Sequence, residues 1–432
     1  MEAQFGSGTL ASAAQGLAAL STAVSDSELV ERIGLLETVK NAAAAAQARA
    51  AVALRELRED QERAAGRSTA KTATSVAAEI ALARRESPHR ARTLLGLAMI
   101  LDRELPHTMA AFAAGEISEW RALLVCRETA CLSRADRGRV DAGLAGELPR
   151  LSDREIVARA RQAAYQLDPH SVVERAGRAA ADRRVTIRPA PDTMTLVSAL
   201  LPVAEGVALY TALRKEADRL QAAGDTRSRG QLMADTLVCR ATGQATADAV
   251  GAEIQLVMTD QSLFAGSDVP ARLVGHGPIP AGVARQLAKN AAEADRAWVR
   301  RLYTRPDGRL VAMESKRRRF PAGLRRFIAI RDEVCRTPWC GAPIRHADHV
   351  VPVHAGGATS VANGQGLCEQ CNQVKEHPGW LARPGPDGTV HTTAPSGREY
   401  ASAPPTGVPS ELRATLADVF YFEVAVPRRR AA

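Results

Sequence analysis

Apolar positions recur at helical spacing along most of the chain. Ser25-Asp26-Ser27-Glu28 reads as a capping box, and Leu29, Ile33, Leu36 and Val39 follow it at steps of three and four. The Ala-rich run from Ala42 extends that helix through Leu54 and Leu57 to about Gly66, with Arg55, Arg58 and Arg63 beside Glu56 and Asp60 on a charged face. Residues 75–83 and 91–101 predict two short helices, with Ser87 as N-cap and Pro88 as first helical residue of the second. In outline the pair is a helix-turn-helix, but an ordinary helical hairpin accounts for it better. Further helices are predicted over 106–115, 118–129, 135–146, 152–166, 204–223 and 229–241, with one more ending near 292. The pattern alternates with a period of two over 185–188 and 194–197, around the turn at Pro191-Asp192, and a strand is predicted over 253–258. A hairpin is predicted from 298–303 and 310–313 around Pro306-Asp307-Gly308. Residues 1–24 are small and polar and predict a loosely ordered terminus. From Arg383 onward Pro, Gly, Ser and Thr dominate, with one last helix predicted over 410–420. No fixed-period repeat is present.

Composition supports helices, because Ala, Leu and Arg are abundant and aromatic residues make up only 4%. The 432 residues suggest two or three domains. The expected fold is mostly α: a large helical N-terminal domain with a few short strands, followed by a small α+β module. Expected boundaries are a flexible terminus at 1–28, a helical domain at 29–295, a hairpin and basic linker at 296–320, the small module at 321–382 and a Pro/Gly-rich tail at 383–432. No uninterrupted apolar run is long enough to span a bilayer, and no basic-then-apolar leader opens the chain. A cytoplasmic location with no membrane partner is therefore expected.

Charge sharpens the picture. The net charge is +9, and residues 301–345 alone hold twelve Arg or Lys against four Asp or Glu. Lys316-Arg317-Arg318-Arg319 is the densest run. Alone it reads as a solvated linker; next to the chemistry that follows it reads as a nucleic-acid contact.

That chemistry begins with cysteine. Cys126, Cys131 and Cys239 are scattered and read as small core residues. The other four form two close pairs, Cys335-x4-Cys340 and Cys368-x2-Cys371, separated by 27 residues. Two such pairs can present four thiolates tetrahedrally, the donor set of structural Zn2+. A closed four-thiolate site has no open position, so such a zinc is a staple and not a catalyst. Between the pairs lies His346-Ala347-Asp348-His349-Val350-Val351-Pro352. On a strand Asp348 and His349 point to opposite faces. His349 has the intrinsic pKa of a general base near neutrality, and Asp348 is a hard oxygen ligand suited to Mg2+ or Mn2+. Hydrolysis of a phosphodiester requires such parts: an activated water and a cation on the developing charge.

His349 is followed by Asn363, then by Cys368, Cys371, Asn372 and Lys375. The series resembles the HNH endonucleases, the ββα-metal nucleases, in their four-cysteine form. The resemblance implies a β-hairpin carrying Asp348 and His349 and a helix carrying Asn372. It also implies roles: His349 as general base, Asp348 and Asn372 as ligands of the divalent ion, and Asn363 as the residue that holds the loop. Asn372 stands where histidine is frequent, which makes this an HNN variant. Lys375 matches a basic position that touches phosphate. Arg325, Arg326 and Arg331, on a helix predicted before Cys335, are further phosphate contacts or a solvated face. His346 and His354 read as exposed, and His377 as the end of a helix. The remainder, with Ala181-Asp182-Arg183-Arg184-Val185 and Gly275-His276-Gly277-Pro278-Ile279-Pro280, resembles actinobacterial proteins whose N-terminal domain has unknown function, the DUF222 or 13E12 repeat type.

The expected activity is metal-dependent cleavage of nucleic acid, with double-stranded DNA as the expected partner. The alternative from another class is a zinc-dependent DNA-binding module without catalysis. A third makes the helical region a protein-interaction or toxin-like domain with the nuclease as payload.

Overall fold

The structure, a computed structural model, describes residues 6–22, 25–243, 246, 255–264, 266–273, 276–293, 297–302, 314–315, 320–405 and 419–424. The chain divides into two compact units, one of residues 1–68 and 93–175, the other of 69–92 and 176–432.

The first unit is all helix: α1 (Ser7–Ala18), α2 (Asp26–Ala64), the body of α4 (Pro88–Glu104), then α5 (Pro106–Ala113), α6 (Glu119–Glu128), α7 (Arg134–Leu144), α8 (Asp153–Leu167) and the start of α9 (Pro169–Ala181). Side chains set most of the starts: the Ser25, Ser118, Ser133 and Ser152 hydroxyls each accept a backbone N–H one turn on, and Ser152 completes a capping box with Glu155. Only one stripe of α2 is buried, Asn41, Ala45, Ala48 and Val52. It joins a core built around Leu101, Leu105, Phe112, Ile117, Val125 and Ile156. At the start of α5, which lacks a cap of its own, the buried Asp141 carboxylate accepts from the N–H groups of His107 and Thr108 at 2.7 and 2.9 Å. Two expectations change here. The segment before Ser25 contains α1, because its Ala and Leu residues favour helix, though none of them is buried. And α9, opened by Pro169, was not anticipated.

The second unit contains α3 (Thr72–Arg84), the antiparallel ribbon of β1 (Arg184–Pro189) and β2 (Thr195–Leu200), and the paired helices α10 (Val203–Ala222) and α11 (Arg229–Thr242). Next come β3 (Gln255–Thr259), α12 (Asp260–Phe264), β4 (Ala271–Leu273), β5 (Gly277–Ile279), α13 (Ala281–Glu293) and β6 (Ala297–Leu302). The third part of the unit holds β7 (Glu314–Ser315), α14 (Ala322–Asp332), β8 (His346–His349), β9 (Thr359–Ser360), β10 (Gly364–Leu367), α15 (Glu369–Val374), β11 (Leu381–Pro384), β12 (Val390–Thr393), β13 (Glu399–Ser402) and β14 (Val419–Val424).

A five-stranded sheet runs β5-β4-β3-β14-β6. Its strand β14, between β3 and β6, includes Phe420, the end of the helix expected over 410–420; residues 410–418 lie outside the described residues. The run Val-Phe-Tyr-Phe at 419–422 is β-branched and aromatic, which favours a strand over a helix. The expected partner of β6, residues 310–313, also lies outside the described residues, as does the basic run Lys316, Arg317, Arg318, Arg319. The stretch after Arg383 is more ordered than its composition implied. It completes a three-stranded antiparallel sheet, β11-β12-β13. Among the described residues no helix is long and apolar enough to cross a membrane.

Candidate active site

Four cysteines organise the site. Cys335 and Cys340 flank a tight turn in which Trp339 and Gly341 both take left-handed backbone angles, φ 59° and 60°. The turn is closed by the Cys335 N–H donating to Ala342 O at 2.8 Å and the Cys340 N–H to Thr337 O at 3.1 Å. The second pair opens α15: Cys368 is its N-cap, and its sulfur accepts from the Cys371 N–H at 3.4 Å. The four sulfurs lie within 4.8 Å of one another, and Cys340 is 3.8 Å from both Cys368 and Cys371. No disulfide forms at that separation. A tetrahedron with metal–sulfur bonds of about 2.3 Å has edges of about 3.8 Å, so the geometry is that of a structural zinc site. Hydrogen bonding among the four thiols lowers the pKa of Cys335 and Cys368 and raises that of Cys340 and Cys371.

Arg336, 4% exposed, ties this knuckle to the three-stranded sheet by donating to Gly388 O at 3.0 Å and Ser402 O at 2.5 Å. Asp332, at the end of α14, accepts from the Gly366 N–H at 2.7 Å and so anchors β10.

The expected hairpin and helix are present. β8 and β10 pair antiparallel with His349 opposite Gly364 and Asp348 opposite Gln365, and α15 follows directly. Between the strands the loop of residues 350–358 is held by Asn363, which is 8% exposed. Its Oδ1 accepts from the Val351 N–H at 2.8 Å, and its Nδ2 donates to Val351 O and Ala358 O, both at 2.9 Å. Both ends of the loop are thereby fixed to one side chain. Gly357 is required by this closure: a Cβ there would lie 1.8 Å from Val351 O and 2.7 Å from Asn363 Nδ2.

His349 is fixed on two sides. Its Nε2 is 2.9 Å from Thr359 Oγ1, and its ring lies against Phe320 with centroids 4.4 Å apart. Burial holds the imidazole below its ordinary range, opposed by Asp348 and aided by Lys375. Neither Thr359 nor Phe320 carries a sequence signal of its own. Thr359 follows the Gly356-Gly357 turn closely, and that turn is the one hint that the chain doubles back there.

Asp348 lies on the same strand and Asn372 on α15. Asp348 Oδ2 and Asn372 Oδ1 are both buried; Asn372 Oδ1 has no hydrogen-bond partner among the described residues, whereas Asp348 Oδ2 is paired with the Lys375 ammonium. A buried oxygen left without a donor is costly unless a cation or water meets it, and Asn372 Oδ1 is such an oxygen. A positive charge, Lys375, faces Asp348. Its Nζ lies 2.6 Å from Asp348 Oδ2 and donates to His349 O at 2.9 Å. Lys375 thus faces the carboxylate and is only 13% exposed, rather than standing free for phosphate.

The arginines before the knuckle divide. Arg325 is exposed on α14 and Arg326 partly so. Arg331 departs from the expectation of a phosphate contact. Its guanidinium is turned inward, donating to Val361 O at 2.8 Å and Gly364 O at 2.7 Å and pairing with Asp332. The two carbonyls are those that flank Asn363 in the hairpin, so Arg331 braces the site from below. His346 and His354 are exposed. His377 follows α15, with burial and the ammonium of Lys71 lowering its pKa.

The chain is similar to Uncharacterized protein Rv3776 of Mycobacterium tuberculosis, at 29% identity over 382 residues, covering 76% of this chain and 70% of that one. It is also similar to Uncharacterized protein Rv2100 of the same organism, at 32% identity over 140 residues, 31% of this chain and 24% of the other. No solved structure matches it. Residues 335–377 match the HNH endonuclease family, the segment from the first zinc-type cysteine through His377. Residues 35–332 match the domain of unknown function DUF222, and with more than half of the chain covered, the protein belongs to that family and carries an HNH endonuclease module after it.

Proposed function

We propose that the module hydrolyses phosphodiester bonds of DNA with the help of a divalent metal ion. The observation that carries this reading is an imidazole pinned by Thr359 and Phe320 on the strand that also carries Asp348, with the buried, unpartnered Asn372 Oδ1 on the helix that follows the hairpin. Asp348 and Asn372 would hold the ion, Mg2+ or Mn2+, which supplies positive charge for the phosphoryl group and the leaving oxygen. Nε2 of His349 is engaged by Thr359, which leaves Nδ1 to take a proton from the attacking water. Asn363 keeps the loop closed so that the imidazole stays aimed. Lys375 neutralises Asp348 and is placed to follow the negative charge as substrate arrives. Arg325, Arg326 and the run 316–319 supply the basic surface for the DNA backbone. The four cysteines bind Zn2+ as a staple, because a segment of this size has too small a core to fold unaided.

The test is supercoiled plasmid incubated with the full-length protein and Mg2+, Mn2+ or EDTA. Nicking or linearisation that needs the metal, with 5′-phosphate and 3′-hydroxyl ends, supports the reading. Gel retardation without any product favours the second one, a zinc-dependent DNA-binding module. Lys375 on Asp348 and asparagine at position 372 are the observations on its side.

A further inference from the structure

We infer that α3, far upstream in sequence and inside the region of unknown function, is a working part of the zinc-stapled module and sets the position of α15. α15 has six residues, too few to be stable as an isolated helix. Its two cysteines fix one end, and Lys375, directly after it, ties it to β8. Its outer side needs a partner, and α3 provides one. Val374 packs with Trp380, Ala394 and the partly buried Tyr400 from the module, and with Ala78 and Leu82 from α3. Ser75, Ala78 and Leu82 are spaced three and four apart and form one stripe along α3. The Trp380 Nε1–H donates to Ser75 Oγ at 2.8 Å across 305 residues of sequence.

Burial agrees with the assignment. Trp380 is 7% exposed, Val374 5% and Leu82 2%. With α3 removed, the module would present a tryptophan, a valine and an alanine as one apolar patch beside the helix that carries Asn372. The compact unit that holds the module also includes residues 69–92, ahead of the helical core at 93–175. The domain of unknown function therefore contributes a brace behind the metal-ligand helix. This goes beyond the nuclease reading and holds whether or not the module cuts DNA.

The test uses the full-length protein and amide hydrogen exchange of residues 369–380, read beside zinc retention against a competing chelator. Leu82→Asp is expected to raise exchange in that segment at least about tenfold, as loss of a buried leucine contact implies, and to speed zinc loss. Should Leu82→Asp fail to fold, a cycle of Ser75→Ala, Trp380→Phe and the double variant decides. Coupling between the two sites in the exchange of 369–380 supports the brace. Exchange and zinc retention as in the wild type for a folded Leu82→Asp, or strictly additive effects in the cycle, overturn it.

Discussion

Thr359 Oγ1 stands 2.9 Å from Nε2 of His349, on a strand separate from the one that carries the histidine. In the tautomer proposed for the base, Nε2–H donates to this hydroxyl and Nδ1 holds the lone pair. Thr359→Val keeps the shape and removes that bond. Its kcat for DNA cleavage should fall about fivefold to tenfold, the worth of one hydrogen bond of about 1 kcal/mol, with KM little changed. Thr359→Ser should keep most of the wild-type rate. Steady-state kinetics on a short duplex reads both.

The pH dependence follows from the same surroundings. Burial lowers the His349 pKa from 6.5. The proposed base, His349, would work in its neutral form, so activity is expected to be complete above the folded pKa and lost as pH falls through it. The acid limb of kcat/KM should accordingly have its midpoint below 6.5, with a plateau through neutrality. A midpoint above that value would mean that the group titrating in the profile is not this imidazole.

Asn363 closes the loop of residues 350–358 with three hydrogen bonds. Asn363→Ala leaves the Val351 N–H and the Val351 and Ala358 carbonyls without their partner. The expected cost is about 3 kcal/mol of module stability, since buried backbone groups then lack bonds. Thermal denaturation should show a lower transition for the variant, and cleavage should fall even at temperatures where it is folded.

The sulfur cluster makes a prediction about metal content. The purified protein should hold one zinc per chain, and a strong chelator should remove it with loss of the protected amides in 335–377. Cys340→Ser, which removes a sulfur that lies 3.8 Å from both Cys368 and Cys371, should do the same without chelator. Elemental analysis beside hydrogen exchange measures both. Zinc absent from active wild-type protein would contradict the staple.

What the sequence disclosed was local. Ser25 and Ser87 mark helix starts because a capping hydroxyl acts within one turn, and the structure has helices from each. The cysteine spacing and Asp348-His349 were legible for a similar reason: the knuckle and hairpin are short-range structures. What escaped depends on where distant segments meet. Nothing near Ser75 announces Trp380, and nothing near Thr359 announces the His349 ring. Arg331 and Lys375 look like surface cations in a one-dimensional pattern. Only the fold shows Arg331 under the hairpin carbonyls and Lys375 against Asp348. The strand at 419–424 was masked by its polar surroundings, because it is specified by pairing with β3 and β6 on both sides.

The most direct measurement of the central claim is the cleavage rate of His349→Ala against wild type, on plasmid with saturating Mg2+ or Mn2+, with zinc content and melting temperature recorded for both. A rate lower by about a hundredfold to ten-thousandfold, with zinc and stability retained, is the predicted result for loss of a general base. Cleavage by His349→Ala at the wild-type rate would contradict the account and remove His349 from the chemistry.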